Sequence, residues 1–279
     1  MNTARQGSEK GAARRLFALG ALCLALVCGC SRESGGPATA FNQAREAYLN
    51  GDFAHSRQLY EAYLKSGQTG QPGYSGGQFN PANREEAFWR LALISGLSGG
   101  GKTRTVEVLE AAIGDFVDDR DKLAVFMPEL ARVLESERKY AKAADVLTRY
   151  TEIDGLPQEQ RAVGLLRLAK DYRRLKKLPQ AKQTLDRCLG LGPQTGQESA
   201  CLAELALVAA MQNNWTEAAK VLEKLVADDQ RQVAENLFAL AEAYENLDRK
   251  NDALRIYKEL LPSYPNKVAL AARLEQPGR

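Results

Sequence analysis

Residues 234–266 read AENLFALAEAYENLDRKNDALRIYKELLPSYPN. Leu240, Ala241 and Tyr244 fall at helical spacing, and so do Ala253, Tyr257 and Leu260. Pro265 stops the second run. The stretch therefore predicts helix, short turn, helix. Its two small residues, Ala241 and Ala253, let antiparallel helices approach closely, where a leucine would push them apart.

Working outward, the same unit recurs toward the N-terminus. Ala44, Ala92, Ala131, Ala169, Ala206 and Ala241 each stand mid-way along a helical-period stretch, with gaps of 48, 39, 38, 37 and 35 residues. Ser56, Thr105, Ala143, Ala181, Ala218 and Ala253 form a second series, with gaps of 49, 38, 38, 37 and 35. Two series that stay in step mark a repeated unit. Turns lie between them at Asn50-Gly51-Asp52-Phe53, Glu137-Arg138-Lys139-Tyr140, Lys176-Lys177-Leu178-Pro179 and Asn213-Asn214-Trp215. A bulky residue in each (Phe53, Tyr140, Leu178, Trp215) is expected to seal the hairpin end. Large residues then follow on the second helix, such as Tyr60 and Tyr63, Leu147 and Tyr150, or Leu222 and Leu225. Pro193, like Pro265, closes a second helix.

This pattern resembles the tetratricopeptide repeat, whose ideal unit has 34 residues. The resemblance covers roughly residues 38–272. It implies an all-α, right-handed superhelix (a solenoid) of about six helical hairpins. The units are expected near 38–66, 84–115, 123–155, 161–193, 198–230 and 233–266. Residues 67–83, rich in Gly, Gln, Asn and Pro, read as an inserted loop, and residues 273–279 as a fraying tail. One hairpin cannot bury its own apolar face, so stacking must supply the core.

The N-terminus has a different character. Arg14 and Arg15 precede the apolar run Leu16–Val27. Twelve residues span only about 18 Å as a helix, short of a roughly 30 Å hydrocarbon core. A charged flank followed by a short apolar run describes a signal peptide, here residues 1–29. The run ends Val27-Cys28-Gly29-Cys30, which resembles the lipobox of bacterial lipoproteins. That resemblance implies cleavage before Cys30, acylation of Cys30 and a flexible tether over residues 30–37. Ser31 after the cysteine implies sorting to the outer membrane, with the protein facing the periplasm. The alternative is plain secretion, cut after Ala38-Thr39-Ala40.

Charge fits this division. The chain carries 38 basic and 35 acidic side chains. Residues 1–29 hold four of the bases and one acid, which leaves 34 of each beyond them. A neutral mature chain gives no electrostatic case for nucleic acid.

Candidate chemistry is sparse. Gly96-Leu97-Ser98-Gly99-Gly100-Gly101-Lys102-Thr103 matches the phosphate-binding loop, in which backbone N–H groups cradle phosphates, the lysine meets the outer ones and the threonine meets magnesium. That loop needs a strand before it. Phe88–Ile94 has strand-like composition, yet Phe88, Leu91, Ala92 and Ser95 fall at helical spacing. An inter-helix turn is therefore expected, with nucleotide or anion binding as the alternative function. Cys188 and Cys201 flank the turn Gly190–Gly196 of an antiparallel pair. An oxidising compartment would permit a disulfide between them, and two small buried residues are the other reading. His55, the single histidine, has no evident triad partners. Paired acids such as Glu85-Glu86 and Asp118-Asp119 read as solvated helix surface. No enzyme, metal or cofactor is expected.

In repeats of this kind the first helix of each hairpin lines the concave face, which receives an extended peptide or a partner helix. The register places Arg45, Trp89, Arg132, Lys170, Arg173, Phe238, Glu242 and Glu245 there. The expected groove is basic at its middle and acidic, with an aromatic, at its C-terminal end. An acidic or C-terminal carboxylate-bearing segment across Arg132, Lys170 and Arg173 is the expected ligand, and charges that simply keep the face wet are the other reading. The resemblance implies a scaffold or adaptor that binds envelope-assembly proteins, tethered to the membrane by its lipid.

Overall fold

The computed structural model describes residues 37–66, 80–97, 101–228, 234–262 and 264–275. The expected signal segment 1–29, Cys30, the expected tether up to Gly36 and residues 276–279 lie outside them. So do residues 67–79 of the expected insert and Ser98–Gly100 of the glycine-rich run.

Among the described residues there are thirteen α-helices, one 3-10 turn at Pro193–Thr195 and no strand. They pair as α1 Pro37–Leu49 with α2 Phe53–Ser66, α3 Pro81–Leu97 with α4 Gly101–Asp115, and α5 Arg120–Ser136 with α6 Tyr140–Thr151. Next come α7 Gln158–Arg174 with α8 Leu178–Gly190, α9 Glu198–Met211 with α10 Trp215–Asp228, and α11 Ala234–Asn246 with α12 Lys250–Leu260. A last helix, α13, spans Lys267–Glu275.

The chain divides into two compact units, Met1–Arg84 and Glu85–Arg279. In the first, α1 and α2 close over Phe41, whose ring lies 6.0 Å from Tyr60 and 5.4 Å from Tyr63. In the second, each hairpin packs on the next, so that α4 meets α5, α6 meets α7, α8 meets α9 and α10 meets α11. The fold is an all-α repeat of helical hairpins.

Both small-residue series are buried throughout. Where the second-series residue carries a hydroxyl, the closeness is visible directly. Ser56 Oγ donates to the Ala44 carbonyl at 2.9 Å, and Thr105 Oγ1 lies 3.5 Å from that of Ala92. The carbonyl gives each buried hydroxyl an acceptor at the crossing.

Five hairpin turns share one backbone solution. Gly51, Arg138, Lys176, Asn213 and Asp248 all have φ between 58° and 79°. In each turn this residue donates its N–H three residues back, and the next residue donates five back; Arg138 bonds Glu135 O at 2.9 Å and Lys139 bonds Leu134 O at 2.9 Å. This is the Schellman arrangement, which satisfies the last carbonyls of the first helix while reversing the chain.

Two boundaries differ from the sequence reading, and a third feature agrees with it. Helix α3 begins at Pro81 and so takes residues 81–83 from the expected 67–83 insert. Asn80 Oδ1 accepts the Ala82 N–H at 2.9 Å, and proline is well suited to a first helical position. At the other end, Arg273–Glu275 belong to α13, where they were expected to begin a fraying tail. Arg273 Nη2 donates to Glu242 at 2.8 Å and Nη1 to Glu245 at 3.0 Å, which fastens α13 to α11. Finally, the glycine-rich run is flanked by helices on both sides, and α3 stands where a phosphate loop needs its strand. Lys102 Nζ instead donates to the Ser136 carbonyl at 3.3 Å, answering the negative C-terminal end of α5.

Candidate functional site

The residue that follows each first-series alanine faces away from the hairpin's own closely packed contact. These residues are Arg45, Leu93, Arg132, Lys170, Leu207 and Glu242. Within the second unit they define one face of the first helices α3, α5, α7, α9 and α11. Leu93, Val125, Val163 and Leu207 are 48%, 43%, 40% and 43% exposed on these helices. A repeat protein has no folding reason to leave a recurring apolar face to water.

The charges on this face are largely committed to one another, contrary to the expected map. Arg173 Nε donates to buried Glu204 of α9. Arg132 Nε donates to Glu129, one turn back on its own helix, at 2.8 Å. Glu242 and Glu245 share Arg273, so the acidic end is partly neutralised from α13. Lys170 is half-buried and has no ion-pair partner among the described residues. The basic middle is therefore narrower than the sequence suggested. Sequence spacing put the cations on one face but could not show that Glu204 and Glu129 reach them.

The remaining expected groove residues are scattered. Arg45 is exposed on α1, in the first unit. Trp89 packs edge-on against Phe126 at 5.8 Å. Phe238 stacks on Tyr264 at 4.8 Å and is more structural than exposed.

Ion pairs stitch consecutive first helices. Lys122 of α5 bonds Glu85 of α3. Arg167 of α7 donates from Nε and Nη2 to both oxygens of Glu135 on α5, each at 3.1 Å. Arg173 of α7 reaches α9 as above. Between α9 and α11 this stitching stops, because neither helix carries a lysine or arginine. A cleft of about 320 Å³ opens there. Alanines such as Ala203, Ala206, Ala210 and Ala239 form its floor, and Leu207 and Trp215 rise at its sides. Its size is at the lower end of the range for ligand pockets, roughly 300–1,000 Å³. Sequence reading missed this cleft, although the alanine density of α9 and α11 was visible.

Cys188, at the end of α8, and Cys201, at the start of α9, are joined by a disulfide with S–S 2.05 Å and Cα atoms 6.5 Å apart. Both are buried. The bond fixes α8 to α9, two helices before the cleft's far wall. Among the described residues no group of three or more His, Cys, Asp or Glu side chains could hold a metal ion. His55 is exposed, and its backbone N–H donates to Asp52 Oδ1 at 3.1 Å.

A tetratricopeptide repeat family model matches residues 166–231 and, one unit later, residues 203–268. The fold is tetratricopeptide-like. The two matches are offset by the same 37 residues that separate Ala169 from Ala206. Solved structures agree in fold. PilW, described as a widely conserved type IV pilus biogenesis factor, is 15% identical with a TM-score of 0.52, over 85% of this chain and 98% of its own. PilF of Pseudomonas aeruginosa is 15% identical at 0.52, over 86% and 97%. YrrB, described as having an unusual peptide-binding site, is 13% identical at 0.54, over 70% and 94%. A comparison with curated protein sequences found no match.

Proposed function

We propose that this protein is a non-catalytic adaptor, anchored to the outer membrane through acylated Cys30 and facing the periplasm, that captures a segment of an envelope-assembly protein on its first-helix face. The observation that carries the binding role is the recurring exposed aliphatic series Leu93, Val125, Val163 and Leu207 on that face. One exposed aliphatic side chain on each of four consecutive first helices suits an extended or helical partner, since each of these hairpins can take one anchor. The pilus-biogenesis role of PilW and the peptide site of YrrB belong to those proteins, and they support this reading by analogy of fold.

No helix of the described residues is long and apolar enough to cross a membrane. Anchoring in this reading rests on the acyl chains, each buried methylene contributing about 0.8 kcal/mol. The test is metabolic labelling of cells with an alkyne-tagged fatty acid, followed by membrane fractionation. The full-length chain should take up label and fractionate with the outer membrane, and Cys30→Ala should do neither. Labelling that survives Cys30→Ala would overturn the anchor.

A further inference from the structure

The cleft between α9 and α11 differs from the other junctions of first helices in two ways. It lacks a clasping ion pair, and the two first helices that flank it carry acids and no base. Helices α9 and α11 hold the carboxylates Glu198, Glu204, Glu235, Glu242 and Glu245 and no base. Three cations answer them: Lys224 bonds Glu198, Arg173 bonds Glu204, and Arg273 is shared by Glu242 and Glu245. Glu242 itself lines the cleft. Tyr264 beside Phe238 senses the excess: burial first, and then the carboxylates of Glu235 and Glu242, hold its phenol above the ordinary range.

An apolar floor beside the single carboxylate of Glu242 selects its occupant by two independent features. The floor favours an aliphatic or aromatic side chain, because burial there removes apolar area from water at about 25 cal/mol per Å². The Glu242 carboxylate repels another carboxylate and attracts an ammonium or guanidinium. Asn236, which also lines the cleft, offers an amide to the backbone of an extended chain.

Resting on the adaptor reading above, we infer that the α9–α11 cleft is the specificity pocket of the first-helix face, and that it takes a protein segment in which a large apolar side chain is followed closely by lysine or arginine. This is opposite in charge to the acidic ligand that the cations of the neighbouring α5–α7 region suggest. One partner segment of alternating character would therefore be read in a fixed direction.

The test is selection of a random peptide library displayed on phage against the purified protein. The expected enriched sequences pair Leu, Met, Phe or Trp with a neighbouring Lys or Arg. A synthetic peptide of the enriched sequence should perturb Trp215 fluorescence in a Trp89→Phe background. Ala239→Leu, which fills the cleft, should weaken that peptide at least ten-fold. Glu242→Gln keeps the size of the side chain and an oxygen to accept from Arg273 while removing the charge, and should weaken the peptide about five-fold while leaving an all-apolar variant unchanged. Helical content and melting temperature confirm that each variant folds. Enrichment of acidic sequences, of none, or of sequences indifferent to both substitutions overturns the inference. Peptides that resist Ala239→Leu but are lost in Lys170→Glu would overturn the pocket while leaving the binding face intact.

Discussion

Two residues beyond each first-series alanine in the second unit, the chain places Ile94, Val133, Asp171, Val208 and Ala243, and all are buried. Asp171 is the one charged member of this ladder, and its exposure is 0%. Its Oδ1 lies 3.4 Å from Arg174 Nη1, while Oδ2 has no hydrogen-bond partner among the described residues. Burial, and then the Glu135 carboxylate, push its carboxyl up to about 7 against the opposing pull of Arg174 and Arg167. A folded pKa above the unfolded value means that the folded chain binds the proton more tightly. This contribution is therefore most favourable below about pH 4 and is lost as pH rises through about 7. Relative to Asp171→Asn, the protein should lose about 2–3 kcal/mol of stability between pH 5 and pH 8, read by urea denaturation at both. An identical pH response in the two proteins would contradict this assignment. Asp171→Val, which restores the aliphatic ladder, should raise stability at pH 8 by about 1–3 kcal/mol.

At the scale of the element, packing distance decides the tolerance of each helix. A Cβ on Gly164 of α7 would lie 2.8 Å from ring atoms of Tyr150 and 2.9 Å from a methyl of Thr151, both on α6. Gly164→Ala should therefore destabilise by about 1–3 kcal/mol despite its better helix propensity, seen as a lower melting temperature. The turns behave in the opposite sense. Arg138, Lys176 and Asp248 hold a left-handed backbone that suits glycine, and the contact of Asp248 with Lys250 in its turn is an exposed ion pair at 3.7 Å. Replacing each by glycine should leave stability unchanged or raise it by up to about 1 kcal/mol. The disulfide closes a 13-residue separation between α8 and α9. Its reduction should cost about 3 kcal/mol in the chain-entropy account, measured as the shift in denaturation midpoint with and without a thiol.

These elements also show where sequence carries structure. The helical hairpins were legible because close crossing tolerates only Ala, Ser or Thr, so geometry writes itself as two in-step series. The Asn80-Pro81 helix start was hidden because its residue types also make loops. The first-helix face was legible by register, but its electrostatics were not. Whether Arg173 meets a ligand or Glu204 depends on which acid the neighbouring hairpin presents, and spacing along one helix does not contain that. Helix α13 escaped for the same reason, since Arg273 is explained only by two glutamates some thirty residues earlier.

For the molecule as a whole, a repeat of hairpins distributes stability among nearest neighbours, and within the second unit it leaves one face of the first helices available. The account places partner capture on that face and leaves the second-helix surface inert. The most direct test incorporates a photo-crosslinking amino acid in living cells at Leu207, on the proposed binding face, and at Lys220, exposed on α10. The account predicts that the probe at Leu207 traps a discrete envelope protein, that Ala239→Leu abolishes the product, and that the probe at Lys220 traps none. Equal trapping from both positions, or a Leu207 product that survives the filled cleft, would contradict it.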